Sequence, residues 1–237
     1  MSSQAADLVS HHPTVAALRA ILPGATVAGG SFGHWLPHPG DLPRADRRPA
    51  FDFAMAKGRQ ACLRTLFAAA GSTRVPPASR SPTVSWPHGW VGSLTHKGTV
   101  VLGALMPNHS TPSLGIDLEH YDRGHCKIPK GYIAPEGLPT MARSELSVLL
   151  ALSGKEAIFK AYWPLETRRL EFSDISVGWQ AVSRREFTAT GDCPSGPRFT
   201  LRCRIVGDWI VSAARPLTPT AAVNPQVRPS RTRTQRQ

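Results

Sequence analysis

The sequence predicts an α+β protein of two halves similar in plan, residues 1–112 and 113–216, followed by a basic tail at 217–237. Three observations predict this. Apolar residues recur at helical spacing over 53–70 and 142–163. Short apolar runs bounded by turn residues, at 91–106, 113–119, 170–182 and 199–214, read as strands. Each half therefore holds a helix and a small set of strands, although no repeat shows in the residue identities.

Taken in order, 13–22 reads as a short helix with Val15, Leu18, Ile21 and Leu22 on one face, ended by Pro23. Residues 24–48 are rich in Gly, Pro and His and read as loop and weak strand. The helix over 53–70 places Leu63, Leu66, Phe67 and Ala70 on one face and stops at Gly71. Residues 72–87 are a Pro- and Ser-rich connector. The strands over 91–106 turn near Lys97-Gly98, and 121–140 reads as a loop. A long helix over 142–163 has a break signal at Ser153-Gly154. The tail has no apolar pattern to dock and is expected to be disordered and dispensable for chemistry.

A chain of 237 residues with 41% hydrophobic residues can bury a core. No apolar run reaches the length of a membrane span, and no basic start followed by an apolar stretch marks a signal peptide. Cys62, Cys126, Cys193 and Cys203 lie far apart and form no C-x-x-C pair, which argues against a zinc ribbon or disulfide framework and for a reduced, cytoplasmic protein. The net charge is +12. Removing the tail's four arginines (Arg228, Arg231, Arg233 and Arg236) leaves +8 on the body, so the basic character is not confined to the tail. Such a charge fits nucleic acid, a membrane surface, a phosphate-rich ligand or an acidic protein partner.

Four segments carry candidate chemistry. In Gly115-Ile116-Asp117-Leu118-Glu119 the period of a strand puts Asp117 and Glu119 on one face. Two such carboxylates repel unless a cation lies between them, and a hard ion such as Mg²⁺ fits that role; a solvated polar strand face is the plainer account. In Ser153-Gly154-Lys155-Glu156 through Lys160, Glu156 is a candidate third carboxylate, with Lys155 and Lys160 as phosphate charges. The plainer account is a capping box at Ser153 and Glu156 with an i,i+4 pair from Glu156 to Lys160. In Gly92-Ser93-Leu94-Thr95-His96, hydroxyls, imidazole and backbone donors suit a phosphate. G-x-S-x-G is absent, which argues against a serine hydrolase. In Lys57-Gly58-Arg59 the mid-helix glycine would admit a ligand close to the backbone. The other histidines, His11, His12, His34 and His38 among them, read as surface residues.

Together and in this order, Gly58-Arg59, Trp86-Pro87 with Gly92 to His96, Gly115 to Glu119, and Lys155-Glu156-Ala157 through Lys160 resemble the 4′-phosphopantetheinyl transferases. The branch is that of enterobactin synthetase component D and related actinobacterial enzymes, and the resemblance covers about 47–177. It implies a pseudo-twofold monomer of two α+β halves with coenzyme A between them. The donor would be coenzyme A, the metal Mg²⁺, and the acceptor a serine of an acidic acyl or peptidyl carrier protein, with no nucleic acid or membrane partner. By motif match, Asp117, Glu119 and Glu156 would hold Mg²⁺. Ser93 and His96 would meet the 3′-phosphate of coenzyme A, with Thr95 a further coenzyme A-binding candidate. Arg59, Lys155 and Lys160 would meet its other phosphates, and Arg80 is a further basic candidate. Glu156, directly or through water, would take the serine proton, and Lys160 would stabilise the leaving phosphate. An arginine precedes Gly-Arg in the family; both Arg47 and Arg48 fit that place, with Arg48 taken as the candidate. Mutual repulsion of the three carboxylates further implies that removing one leaves stability unchanged or higher. The rivals are a nucleic-acid-binding protein and another Mg²⁺-dependent nucleotide phosphate enzyme.

Overall fold

A computed structural model describes residues 12–36, 41, 43–76, 84–122, 145–166, 170–194 and 196–217. The fold is α+β with two antiparallel sheets. The first has the order β1-β3-β2 and comprises β1 (Thr26–Ser31), β2 (Trp90–Lys97) and β3 (Val100–Pro107). The second has the order β4-β8-β7-β6-β5: β4 (Gly115–His120), β5 (Ser176–Ala181), β6 (Glu186–Asp192), β7 (Phe199–Val206) and β8 (Trp209–Pro216). The helices are α1 (Pro13–Ile21), α2 (Arg44–Ala69) and α3 (Glu145–Tyr162).

Strand periodicity sorts the side chains into three cores. The odd residues Val101 and Leu105 of β3 pack with Ala54, Cys62 and Leu66 of α2. The even residues Val100, Leu102, Ala104 and Met106 face the second sheet, where Ile116, Leu118, Val211 and Ala213 meet them beside α1. On the far face of the second sheet, Phe187, Phe199, Leu201, Cys203 and Ile210 pack under Leu150, Ala157, Ile158 and Ala161 of α3. β3 is therefore apolar and buried along nearly its whole length, whereas β4 is apolar on one face and acidic on the other.

Several sequence expectations change. α2 begins at Arg44, not Phe53. Pro49 breaks the backbone ladder but lies near the exposed start of the helix, where the carbonyl it frees meets water. Asp46 in the first turn suits the positive end of the helix dipole, and Arg48 pairs with Asp52 at 3.1 Å one turn on. α3 runs without a break through Ser153 and Gly154. Gly154 lies where the helix presses on the sheet: a Cβ there would come within 2.8 Å of Leu201 and Trp179. Ser153 is consequently no cap, and its hydroxyl bonds to Ser212 at 2.8 Å. β6 was not anticipated, although Phe187, Ala189 and Gly191 alternate inward as a strand requires. His12 is not a simple surface residue: it caps α1 and lies edge-on to Trp209, 5.3 Å between ring centres. The expected loop at 121–140 lies almost wholly outside the described residues, as does the tail beyond Leu217.

Candidate functional site

β2 and β4 are both sheet edges, and they lie side by side. Period two points Ser93, Thr95 and Lys97 of β2 toward β4. Ser93 Oγ accepts the Ile116 amide at 3.0 Å. The Thr95 hydroxyl donates to Asp117 Oδ1 at 3.2 Å. Lys97 Nζ lies 2.5 Å from Glu119 Oε2 as an ion pair. Polar side chains thus join the two sheets along the strand that carries the acidic motif.

α3 brings the third motif to the same place. Lys160 Nζ donates to Asp117 Oδ1 at 2.7 Å, to the Ile116 carbonyl at 3.2 Å and to Thr95 Oγ1 at 3.3 Å. The i,i+4 pair with Glu156 is therefore not the main use of Lys160. The approach is close because Gly115 has no side chain. A Cβ there would collide with the Ala157 carbonyl and the Ala161 amide of α3. The Ser113 hydroxyl donates to the Ala161 carbonyl at 2.6 Å and fastens the last turn of the helix. These contacts explain why the acidic motif begins with glycine.

Beside this seam is a pocket of about 670 Å³. Arg59, Ser93, Glu156 and Lys160 line it on its polar side, and Trp86, Phe159 and Trp163 contribute to its apolar wall. Four of the residues singled out in the sequence are thus brought together from α2, β2 and α3.

The remaining candidates are placed differently. Asp117 and Glu119 are buried next to the pocket, behind Lys160 and Lys97. His96 lies on the opposite face of β2 from Ser93 and Thr95, on the side that packs against α2. Thr95 is committed to Asp117. Lys155 is buried, with Nζ donating to the Phe172 carbonyl at 3.0 Å, and does not line the pocket. Arg48 is exposed near the start of α2, about 16 Å along the helix from Arg59 at 1.5 Å per residue. Arg80 lies outside the described residues. Gly58 has a packing reason rather than a ligand: a Cβ would meet the Phe32 ring at 2.9 Å. Lys97 and Ser113 were missed in the sequence, yet Lys97 continues the 93, 95, 97 alternation and could have been found from it.

The electrostatics are those of crowded, half-dry charge. Burial raises the pKa of Glu156, with Lys160 opposing the shift and Asp117 and Glu119 adding to it. Burial likewise raises Glu119, opposed by Lys97 and reinforced by Asp117. Desolvation lowers the His96 imidazole, and Arg59 and Lys160 lower it further. Among the described residues no three His, Cys, Asp or Glu side chains converge as a finished metal cage. The donor set still fits a hard cation in one respect. Asp117 Oδ2 is buried without a hydrogen-bond partner, on the same strand face as Glu119.

The two sheets thus meet at a seam of paired carboxylates and lysines beside a half-apolar pocket, an arrangement suited to an anionic ligand. No family model matches the chain. The chain is 29% identical over 205 residues to 4′-phosphopantetheinyl transferase PptT of Mycobacterium tuberculosis, covering 76% of this chain and 86% of the relative. It is 30% identical over 173 residues to 4′-phosphopantetheinyl transferase Npt of Nocardia iowensis, covering 65% of this chain and 74% of the relative. Similarity to enterobactin synthase component D of Salmonella typhimurium is 29% over 141 residues, or 54% of each chain. The chain belongs to the 4′-phosphopantetheinyl transferases. It is a transferase that uses coenzyme A and delivers the phosphopantetheinyl group to carrier proteins, and the nucleic-acid-binding and nucleotide-hydrolysing readings are set aside.

Proposed function

We propose that transfer takes place in the pocket between α3 and the edge of β2, with Glu156 as base and Asp117, Glu119 and Glu156 as ligands of Mg²⁺. The observation that carries this is the convergence of Arg59, Ser93, Glu156 and Lys160 on one pocket, beside a strand whose Asp117 keeps a buried oxygen without a hydrogen bond. Mg²⁺, when bound, would supply positive charge to the pyrophosphate of coenzyme A as its bond to 3′,5′-ADP breaks.

The chain's own residues account for the rest of the chemistry. Glu156 is raised in pKa by burial, which makes it a stronger base toward the carrier serine, directly or through one water. Arg59 lines the pocket with its Nε buried and without a hydrogen-bond partner, so it is available to a phosphate oxygen. Lys160 can serve the leaving phosphate by exchanging one of its three present contacts. The apolar wall of Trp86, Phe159 and Trp163 suits the pantetheine arm, which carries no charge. In this reading His96 meets the 3′-phosphate from the α2 face of β2 and Ser93 meets coenzyme A from the pocket face. Arg80 is a further basic contact, and Thr95, Arg48 and Lys155 reach a phosphate only by leaving Asp117, Asp52 and the Phe172 carbonyl. Residues 1–112 then act as the coenzyme A half, 113–216 as the half that carries the metal and base, and 217–237 as a dispensable tail.

The body charge of +8 favours acidic acyl or peptidyl carriers over neutral ones. No described helix is long and apolar enough to cross a membrane. From the dispersed cysteines and the family resemblance we read the enzyme as a cytoplasmic monomer. Incubation with coenzyme A and a panel of apo carrier proteins, followed by mass spectrometry, tests the reading. The phosphopantetheine mass should appear with Mg²⁺, vanish in chelator and vanish in Glu156→Gln. Full transfer in chelator removes the metal from the scheme, and full transfer by Glu156→Gln removes the base.

A further inference from the structure

Ser93, Thr95 and Lys97 each reach β4, but the three ties differ in kind. Ser93 and Thr95 make neutral-donor hydrogen bonds to groups that stay where the strand puts them. Lys97 makes an ion pair with Glu119, a carboxylate assigned above to the cation. Its two partners are unequal. The Glu119 side chain is 10% exposed, whereas that of Lys97 is 45% exposed at the very end of β2, on a four-carbon stem that can return its ammonium to water. Lys160 is different, since its Nζ is held by three oxygens and its side chain is 28% exposed.

An ammonium and a divalent cation repel each other when they share one carboxylate oxygen at contact distance. We propose that Lys97 is a tethered placeholder cation, which neutralises Glu119 in the cation-free protein and leaves it when a divalent ion takes those oxygens. This rests on the reading of Asp117 and Glu119 as cation ligands. It gives Lys97 control over how tightly the site binds its cation, with no part in the transfer itself.

Two measurements that need no turnover test it, on the full chain: calorimetric titration with Mg²⁺, and thermal melts in chelator and in saturating Mg²⁺. Lys97→Met should bind Mg²⁺ on the order of tenfold more tightly than the wild type, a coupling of about 1.4 kcal/mol. In chelator it should melt about 2–4 °C lower, because Glu119 is left buried without its partner. In saturating Mg²⁺ that deficit should close. Lys97→Arg should behave as the wild type, and Arg185→Met, which removes an exposed charge elsewhere, should change neither quantity. Lys97→Gln replaces Lys97→Met if the latter does not fold. An unchanged affinity with an equal melting deficit in both conditions would mean the ion pair survives cation binding, and the proposal fails. Equal tightening by Arg185→Met would reduce the effect to net charge and overturn it too. If the wild type takes up no Mg²⁺, this proposal and the cation reading fall together; if it binds Mg²⁺ without coupling to Lys97, only this one falls.

Discussion

The Thr95 hydroxyl donates to Asp117 Oδ1 across the seam between the sheets, and the same oxygen accepts Lys160 Nζ from α3. One carboxylate oxygen therefore ties the first sheet, the second sheet and the helix that carries Glu156.

This arrangement separates the acidic residues. Mutual repulsion alone suggests that removing any of them leaves stability unchanged or higher. For Asp117 the contacts predict the reverse: Asp117→Ala leaves Lys160 and Thr95 without their shared acceptor. We expect a loss of about 1–3 kcal/mol, or roughly 2–4 °C in Tm for each kcal/mol at this chain length. Calorimetry in chelator checks it, and a variant that melts at or above the wild type would show that the ion pair does not hold α3.

Glu156 should behave oppositely. Its folded pKa lies above the ordinary 4.5, so the folded state holds the proton more tightly than the unfolded one. The stability this contributes is full below 4.5 and is lost as pH rises through the raised folded value. Glu156→Gln avoids that loss, so it should be more stable than the wild type at neutral pH, with the gain shrinking toward pH 4.5. Thermal melts of both proteins in chelator across this range give the comparison; a gain that grows toward acid would reverse the sign.

His96 should read the 3′-phosphate of coenzyme A. A hydrogen bond to a charged group contributes roughly 1.5–3 kcal/mol, or about 10- to 150-fold in affinity. His96→Ala should raise KM for coenzyme A far more than it lowers kcat. The wild type should prefer coenzyme A over dephospho-coenzyme A, and His96→Ala should discriminate much less. Equal discrimination by both proteins would leave the imidazole without a phosphate partner. Because desolvation and Arg59 keep the free imidazole below its usual pKa, binding the phosphate should also draw in a proton. Calorimetry in buffers of different ionisation enthalpy measures that uptake.

The close approach of α3 to β4 makes its own prediction. Gly115→Ala drives a methyl group into the α3 backbone at Ala157 and Ala161, and should cost more stability than any other single alanine change along β4. Ser113→Ala only frees the Ala161 carbonyl, at about 1–3 kcal/mol, and Ser113→Thr should recover part of it. Chemical denaturation orders the three variants; if Gly115→Ala is the mildest of them, the helix has room that the contacts deny.

How much of this was legible beforehand follows the physics of each signal. The short helix α1 and the β2–β3 hairpin could be read directly, because their apolar spacing and turn residues are local. The acidic face of β4 was equally plain from Asp117 and Glu119 alternating with Ile116 and Leu118. The early start of α2 was hidden because Pro49 and a polar, exposed first turn look like loop. Gly154 looked like a break because only the tertiary structure shows Leu201 and Trp179 pressing there. The opposite facing of His96 and Ser93 follows from strand period, but grouping the two as contacts of one phosphate passed over it. That Thr95 and Lys97 share a face with Ser93 follows from the strand period, but that β4 is what this face meets could not be read, since it depends on two edges meeting across the fold.

The register of β4 also sets when the site can exist. Among the described residues β4 forms a ladder with β8 alone, where Asp117 lies opposite Ser212 and Glu119 opposite Ile210. During synthesis at about 5–20 residues per second, the acidic strand must wait several seconds for that partner to emerge. Until then β4 can rest against the first sheet through Ile116 and Leu118, but its backbone has no ladder to join among the described strands. The acidic strand is therefore locked into its register only once β8 has emerged, close to the end of the described fold.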